Sequence, residues 1–143
     1  MKKENTNLMY QTQQTNDNSN NVLTKEPRKE VLSKKVKAVI SAMLAVKDRP
    51  IQNYSDHISN ELNLNYTYLA NVFSEHEGRT IEGYIIDKKI EKATDMLLYG
   101  NYTISQIADL LHYSSIGHFS NQFKKLKGVS PSEFKKNNGK MFV

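Results

Sequence analysis

Cysteine is absent from the 143-residue chain, which excludes disulfides, thiolate nucleophiles and cysteine-ligated zinc and fits a reducing compartment. No run of 18 or more apolar residues occurs, so a membrane-spanning helix is not expected. The first residues, Met1 to Asn21, contain no apolar segment of the kind a secretory signal needs, which leads us to expect a cytoplasmic protein. Only six glycines are present, and none belongs to a phosphate-cradling loop. His57, His76, His112 and His118 show no i, i+4 pairing and no carboxylate in a ligand pattern, so neither a metal nor a cofactor is expected. With no nucleophile beside a base either, we expect no catalytic residues and no enzyme.

What is present is charge of one sign at one end. The net charge of +5 is modest, but its distribution is uneven. Residues 1–30 carry five basic and four acidic side chains, residues 31–78 five of each, and residues 79–113 four and five. The last thirty residues carry six lysines, Lys124, Lys125, Lys127, Lys135, Lys136 and Lys140, against the single Glu133. A polyanion meets that end first.

Met1 to Asn21 is built largely from Asn, Gln, Thr and Ser and buries too little apolar surface to offset the entropy of ordering, so we read residues 1–30 as a flexible polar tail. From Val31 the pattern changes. Leu32, Val36, Val39, Ile40 and Met43 recur at helical spacing up to Asp48-Arg49-Pro50 and predict an amphipathic helix.

Beyond that helix the sequence repeats itself. Ile58, Leu62, Leu69, Phe73, Gly78, Thr80 and Tyr84 match Ile107, Leu111, Phe119, Phe123, Gly128, Ser130 and Phe134, with an offset of 49 residues before a turn and 50 after it. Each copy reads as helix, tight turn, helix. Asn63 and His112 hold the turns, Asn65 and Ser115 cap the second helices, and Gly78 and Gly128 end them. Thr103 with Gln106, and Ser130-Pro131 with Glu133, are capping boxes that open further helices. Between the copies, Thr80 to Tyr99 carries Ile86, Ile90, Ala93 and Leu97 on one stripe and closes at Gly100. The expected fold is all-α, with seven helices in two helix-turn-helix subdomains (about 31–79 and 101–138) joined by a long linker helix (about 80–99).

A helix fits the DNA major groove, and a helix-turn-helix offers the start of its second helix to base edges. Twenty residues of linker at about 1.5 Å each span roughly 30 Å, close to the ~34 Å of one duplex turn. Two recognition helices held at its ends would enter successive major grooves of double-stranded DNA.

The run from Ile104 through Ala108, Leu111, Phe119, Phe123 and Gly128-Val-Ser-Pro131 to Phe134 resembles the signature of the AraC/XylS family of bacterial transcription regulators. Tyr68-Leu69 with Phe73 and Gly78, then Tyr84 and Lys89-Ile-Glu-Lys-Ala93, resemble that family's first unit and linker, and the resemblance covers roughly Pro50 to Asn137. It implies binding to promoter DNA and, commonly, activation through RNA polymerase. His112 stands where the family usually has glycine, and Lys89 where it usually has arginine. No separate small-molecule ligand domain is evident, as in the small stand-alone members.

Carried over by position, the base-facing residues are Tyr66, Thr67, Ala70 and Asn71 in the first unit and Ile116, Gly117, His118 and Asn121 in the second. Phosphate contacts are expected from Asn65 and Ser115 at the helix starts, with Ser120, Lys124 and Lys125. The alternative reading is a protein-interaction adaptor acting on a larger regulator or on RNA polymerase, favoured by the lack of arginine in either recognition helix.

Overall fold

The computed structural model describes residues 25–137. Residues 1–24 of the expected tail, and Lys140 of the basic end, lie outside them, while residues 25–30, expected to belong to that tail, are helical. Among the described residues there are seven α-helices and no strand: α1 Lys25–Ala45, α2 Tyr54–Leu62, α3 Tyr66–Glu77, α4 Ile81–Tyr99, α5 Ile104–Leu110, α6 Ile116–Lys127 and α7 Pro131–Lys136.

The first helix begins six residues before the Val31 start expected from periodicity, at Lys25. Residues 25–30 are mostly charged and show no apolar period, so the pattern could not mark them. Pro27 is tolerated because the first turn of a helix has no intrahelical partner for its missing N–H. Lys29 Nζ, 2.9 Å from a Glu75 carboxylate oxygen, ties this early segment to α3, and Lys37 repeats the device on Glu77 at 2.9 Å.

Helix boundaries follow the caps. The side chains of Asn53, Asn65, Thr80, Thr103, Ser115 and Ser130 each accept a backbone N–H three residues on, satisfying one of the donors a helix start leaves orphaned. Thr103 and Ser130 form full capping boxes with Gln106 and Glu133. Gly78 and Gly128 end α3 and α6 in the left-handed region, at φ 73° and 86°. Gly100 closes α4 with extended backbone instead. A Cβ there would lie 2.5 Å from the Tyr102 ring and 2.9 Å from the Met96 carbonyl oxygen, so close approach is what requires glycine.

Two apolar cores result. The first joins Leu32, Val36, Ile40, Met43 and Leu44 of α1 to Ile58, Leu69, Val72 and Phe73 of α2 and α3 and to Ile81 and Ile85 of α4. The second joins Ile90, Ala93 and Leu97 of α4 to Ile107, Ala108, Leu111, Tyr113, Phe119, Phe123 and Phe134. Helix α4 thus gives its first half to one core and its second half to the other, and Lys89 sits at the division.

The duplication is visible in the packing as well as in the spelling. Phe73 meets Tyr84 with ring centroids 5.5 Å apart and planes at 70°, while Phe123 meets Phe134 at 5.5 Å and 76°. Both are edge-on arrangements that the ring quadrupole favours. The start of the linker helix therefore closes the first unit as α7 closes the second.

Candidate nucleic-acid interface

Each recognition helix is fixed from within by its apolar face. Leu69, Val72 and Phe73 bury that face of α3, and Phe119 and Phe123 that of α6. The opposite faces are exposed. On α3, Thr67, Tyr68, Asn71 and Glu75 are exposed; on α6, Ile116, Gly117, His118, Asn121, Lys124 and Lys125 are exposed.

Among the sequence-derived candidates, Tyr66 and Ala70 are half-buried and lean on the first core. The Tyr66 hydroxyl donates to Glu82 Oε2 at 2.6 Å, and burial, reinforced by that carboxylate, pushes the phenol above its ordinary range. Tyr66 and Ala70 therefore present edges, not free polar tips. Ser120 is also half-buried. The Asn65 and Ser115 side chains point back along their own helices, to the N–H of Tyr68 at 3.1 Å and of His118 at 3.0 Å. An anion at these helix starts would therefore meet the remaining free N–H groups, not those side-chain oxygens.

Sequence reasoning passed over Tyr68 as a candidate reader. It is the repeat partner of His118, 50 residues away, and is 37% exposed on the first turn of α3. The same offset that linked Asn71 to Asn121 pointed to it.

The two first turns open on one side of the molecule. A cleft of about 380 Å³ has Tyr66 and Glu82 on one wall, Tyr113, His118 and Gln122 on the other, and Ile85, Ile86 and Lys89 of α4 along its floor. Both recognition helices thus begin along the same trough, with the linker helix beneath it.

The units are joined across the back of this trough by groups that no local pattern announces. His112 occupies the turn of the second unit at φ 70°, the left-handed conformation that a glycine would adopt freely. Its ring reaches the first unit: Nδ1 lies 2.7 Å from the Tyr54 hydroxyl and Nε2 3.0 Å from the Val46 carbonyl oxygen. A carbonyl only accepts, so Nε2 carries the proton and Nδ1 accepts from the phenol. The backbone strain of a non-glycine residue here is offset by two hydrogen bonds. Burial lowers the His112 pKa, and the positive charges of Lys89 and Arg49 add to the effect, against raising contributions from the Val46 and Lys47 backbone.

Lys89 does not face solvent as a DNA-reaching cation. It is 8% exposed, with Nζ 5.1 Å from the Tyr54 ring centroid and 4.6 Å from that of Tyr113. Two aromatic faces thus hold one ammonium between the units. Burial, assisted by Arg49, brings its pKa down to about 8.

None of the described residues forms a metal-binding cluster of His, Asp or Glu, and no helix among them is long and apolar enough to cross a membrane.

Residues 58–137 match the model of a helix-turn-helix domain family. The chain is 27% identical over 107 residues to the xylose operon regulatory protein of Escherichia coli, an alignment covering 74% of this chain and 27% of that protein. The chain therefore spans about a quarter of that regulator's length. Among solved structures, the C-terminal domain of AraT, a response regulator from Geobacillus stearothermophilus, superposes with a TM-score of 0.66 at 24% identity, covering 74% of this chain and 84% of that one. The DNA-binding domain of the global transcriptional factor AdpA, solved with a target DNA, superposes with a TM-score of 0.63 at 14% identity, covering 74% and 90%.

Proposed function

The chain belongs to the AraC-type helix-turn-helix family, and from that premise we propose that it regulates transcription by reading two successive major grooves of promoter DNA with α3 and α6. It is not an enzyme, since the family is one of transcription regulators. The observation that carries the reading is the shared trough: the first turns of both recognition helices line one cleft above a linker helix of 19 residues, which at about 1.5 Å per residue is roughly 28 Å long. That length is close to the ~34 Å between successive major grooves on one face.

In this reading Thr67, Tyr68 and Asn71 face bases in one groove and Ile116, Gly117, His118 and Asn121 in the next, with the half-buried edges of Tyr66 and Ala70 giving apolar contact. Asn71 and Asn121 each suit adenine, whose N6 and N7 pair bidentately with an amide at roughly 1–3 kcal/mol of discrimination. The helix starts at Asn65 and Ser115, with Ser120, Lys124 and Lys125, hold phosphates. The protein acts in the cytoplasm as an activator that contacts RNA polymerase.

Selection from randomised duplexes with wild type and Asn71→Ala tests the assignment. Loss of one adenine preference in the variant is expected; an unchanged consensus would overturn the role of Asn71.

A second reading, an adaptor that touches DNA weakly, is favoured by one observation: neither recognition helix contains arginine, the commonest reader of guanine. On that reading no duplex sequence is enriched by the wild type.

A further inference from the structure

The trough between the recognition helices contains a group that DNA reading does not use. Lys89 is more than nine-tenths buried, lines the cleft floor, and forms no ion pair with a carboxylate among the described residues. The nearby Glu82 is engaged by the Tyr66 hydroxyl at the rim. Aromatic faces compensate part of the lost hydration of an ammonium, but they accept no conventional hydrogen bond from its three N–H donors. The ammonium opens onto the cleft, where an anion that reaches it would form charge-assisted hydrogen bonds.

We propose that this cleft is a binding site for a small organic monocarboxylate with a flat aromatic body. The volume of about 380 Å³ falls at the lower end of the roughly 300–1,000 Å³ of small-molecule sites. Its surroundings specify the ligand in two parts. The single ammonium is the one fixed cation among the described residues lining the cleft, and the Glu82 carboxylate at the rim, engaged by Tyr66, repels a phosphate dianion about twice as strongly as a monocarboxylate, so one negative charge is favoured over two. The rings of Tyr54, Tyr66 and Tyr113, with Ile85 and Ile86 beside them, match a planar apolar body that meets them edge-on or offset. Tyr54 belongs to the first unit and Tyr113 to the second, so an occupant touches both units and is distinct from any ligand held by a separate domain.

Titration of the full chain followed by nuclear magnetic resonance of its isoleucine methyl groups tests the site, with benzoate as probe, benzyl alcohol as its neutral counterpart and acetate as the charge without the body. Benzoate should shift the Ile85 and Ile86 methyls saturably. Benzyl alcohol and acetate should each bind about tenfold more weakly, the effect of losing one charge-assisted hydrogen bond or the apolar body. Lys89→Met should reduce benzoate to the level of benzyl alcohol. The proposal fails if benzoate binds no better than benzyl alcohol, if folded Lys89→Met binds benzoate as the wild type does, or if benzoate leaves both methyls unmoved. Should circular dichroism show Lys89→Met unfolded, the three probes on the wild type decide alone. No titration contains DNA, so the result is independent of how bases are read.

Discussion

The Tyr54 hydroxyl donates to His112 Nδ1 across 2.7 Å and 58 positions of sequence, joining the start of α2 to the turn of the second helix-turn-helix unit. With His112 Nε2 on the Val46 carbonyl at 3.0 Å, it makes the second unit's turn a fastening point for the first. Tyr54→Phe keeps the ring beneath Lys89 but leaves His112 Nδ1 short of a donor. Chemical denaturation should show a loss of about 1–3 kcal/mol, the range for stranding a buried polar group. A change within about ±0.5 kcal/mol, at the level of an ordinary surface change, would show that the contact contributes nothing.

The same residue makes stability depend on pH. Burial holds the His112 pKa below its ordinary value of 6.5, with Lys89 and Arg49 acting in the same direction. Below pH 6.5 the unfolded chain therefore takes up the proton more readily than the folded one, and stability falls as pH is lowered through that value until the folded pKa is reached. Melting followed from pH 7.5 to 5.5 should show this decline, and His112→Asn, which also tolerates the left-handed turn, should flatten it. An equal slope in both proteins would place the titration elsewhere.

Ser33 is 1% exposed and its hydroxyl has no hydrogen-bond partner. Ser33→Ala removes the stranded group with little change of volume. It should raise stability by about 1 kcal/mol, read as a higher denaturation midpoint at unchanged m-value. A destabilised variant would mean that the hydroxyl is satisfied in solution.

Lys124 and Lys125 are exposed in the last turn of α6. Alanine at either should weaken binding to all duplexes about equally and lower the slope of log affinity against log salt by about 1. A change of preferred sequence without a change of slope would make them base readers instead.

Much of this architecture was legible beforehand because it is local or repeated. The caps at Asn65, Thr103, Ser115 and Ser130, the left-handed Asn63 and the glycine stops at Gly78 and Gly128 each act within four residues, so spacing alone reveals them. Repetition extends that reach: the 50-residue offset aligns Phe73 with Phe123 and Tyr84 with Phe134, and the two ring pairs share one edge-on geometry. The start of α1 was not legible, since a charged segment containing Pro27 shows no apolar period. Burial of Lys89 could have been suspected, because it falls at i, i+4 between Ile85 and Ala93 on the buried stripe of α4. Its two tyrosine rings could not, for Tyr54 and Tyr113 meet only through tertiary packing. The sequence reading treated Lys89 and His112 as departures from a family pattern, whereas in the fold they are neighbours that join the two units.

Hydroxyl-radical footprinting on a selected duplex tests the central claim most directly, because it reports which face of the DNA the protein covers. A pair of reading helices opening on one trough should protect two patches on the same face, about one helical turn apart, with protection of both lost together as salt is raised. Protection confined to a single groove, or none at low salt, would contradict the account.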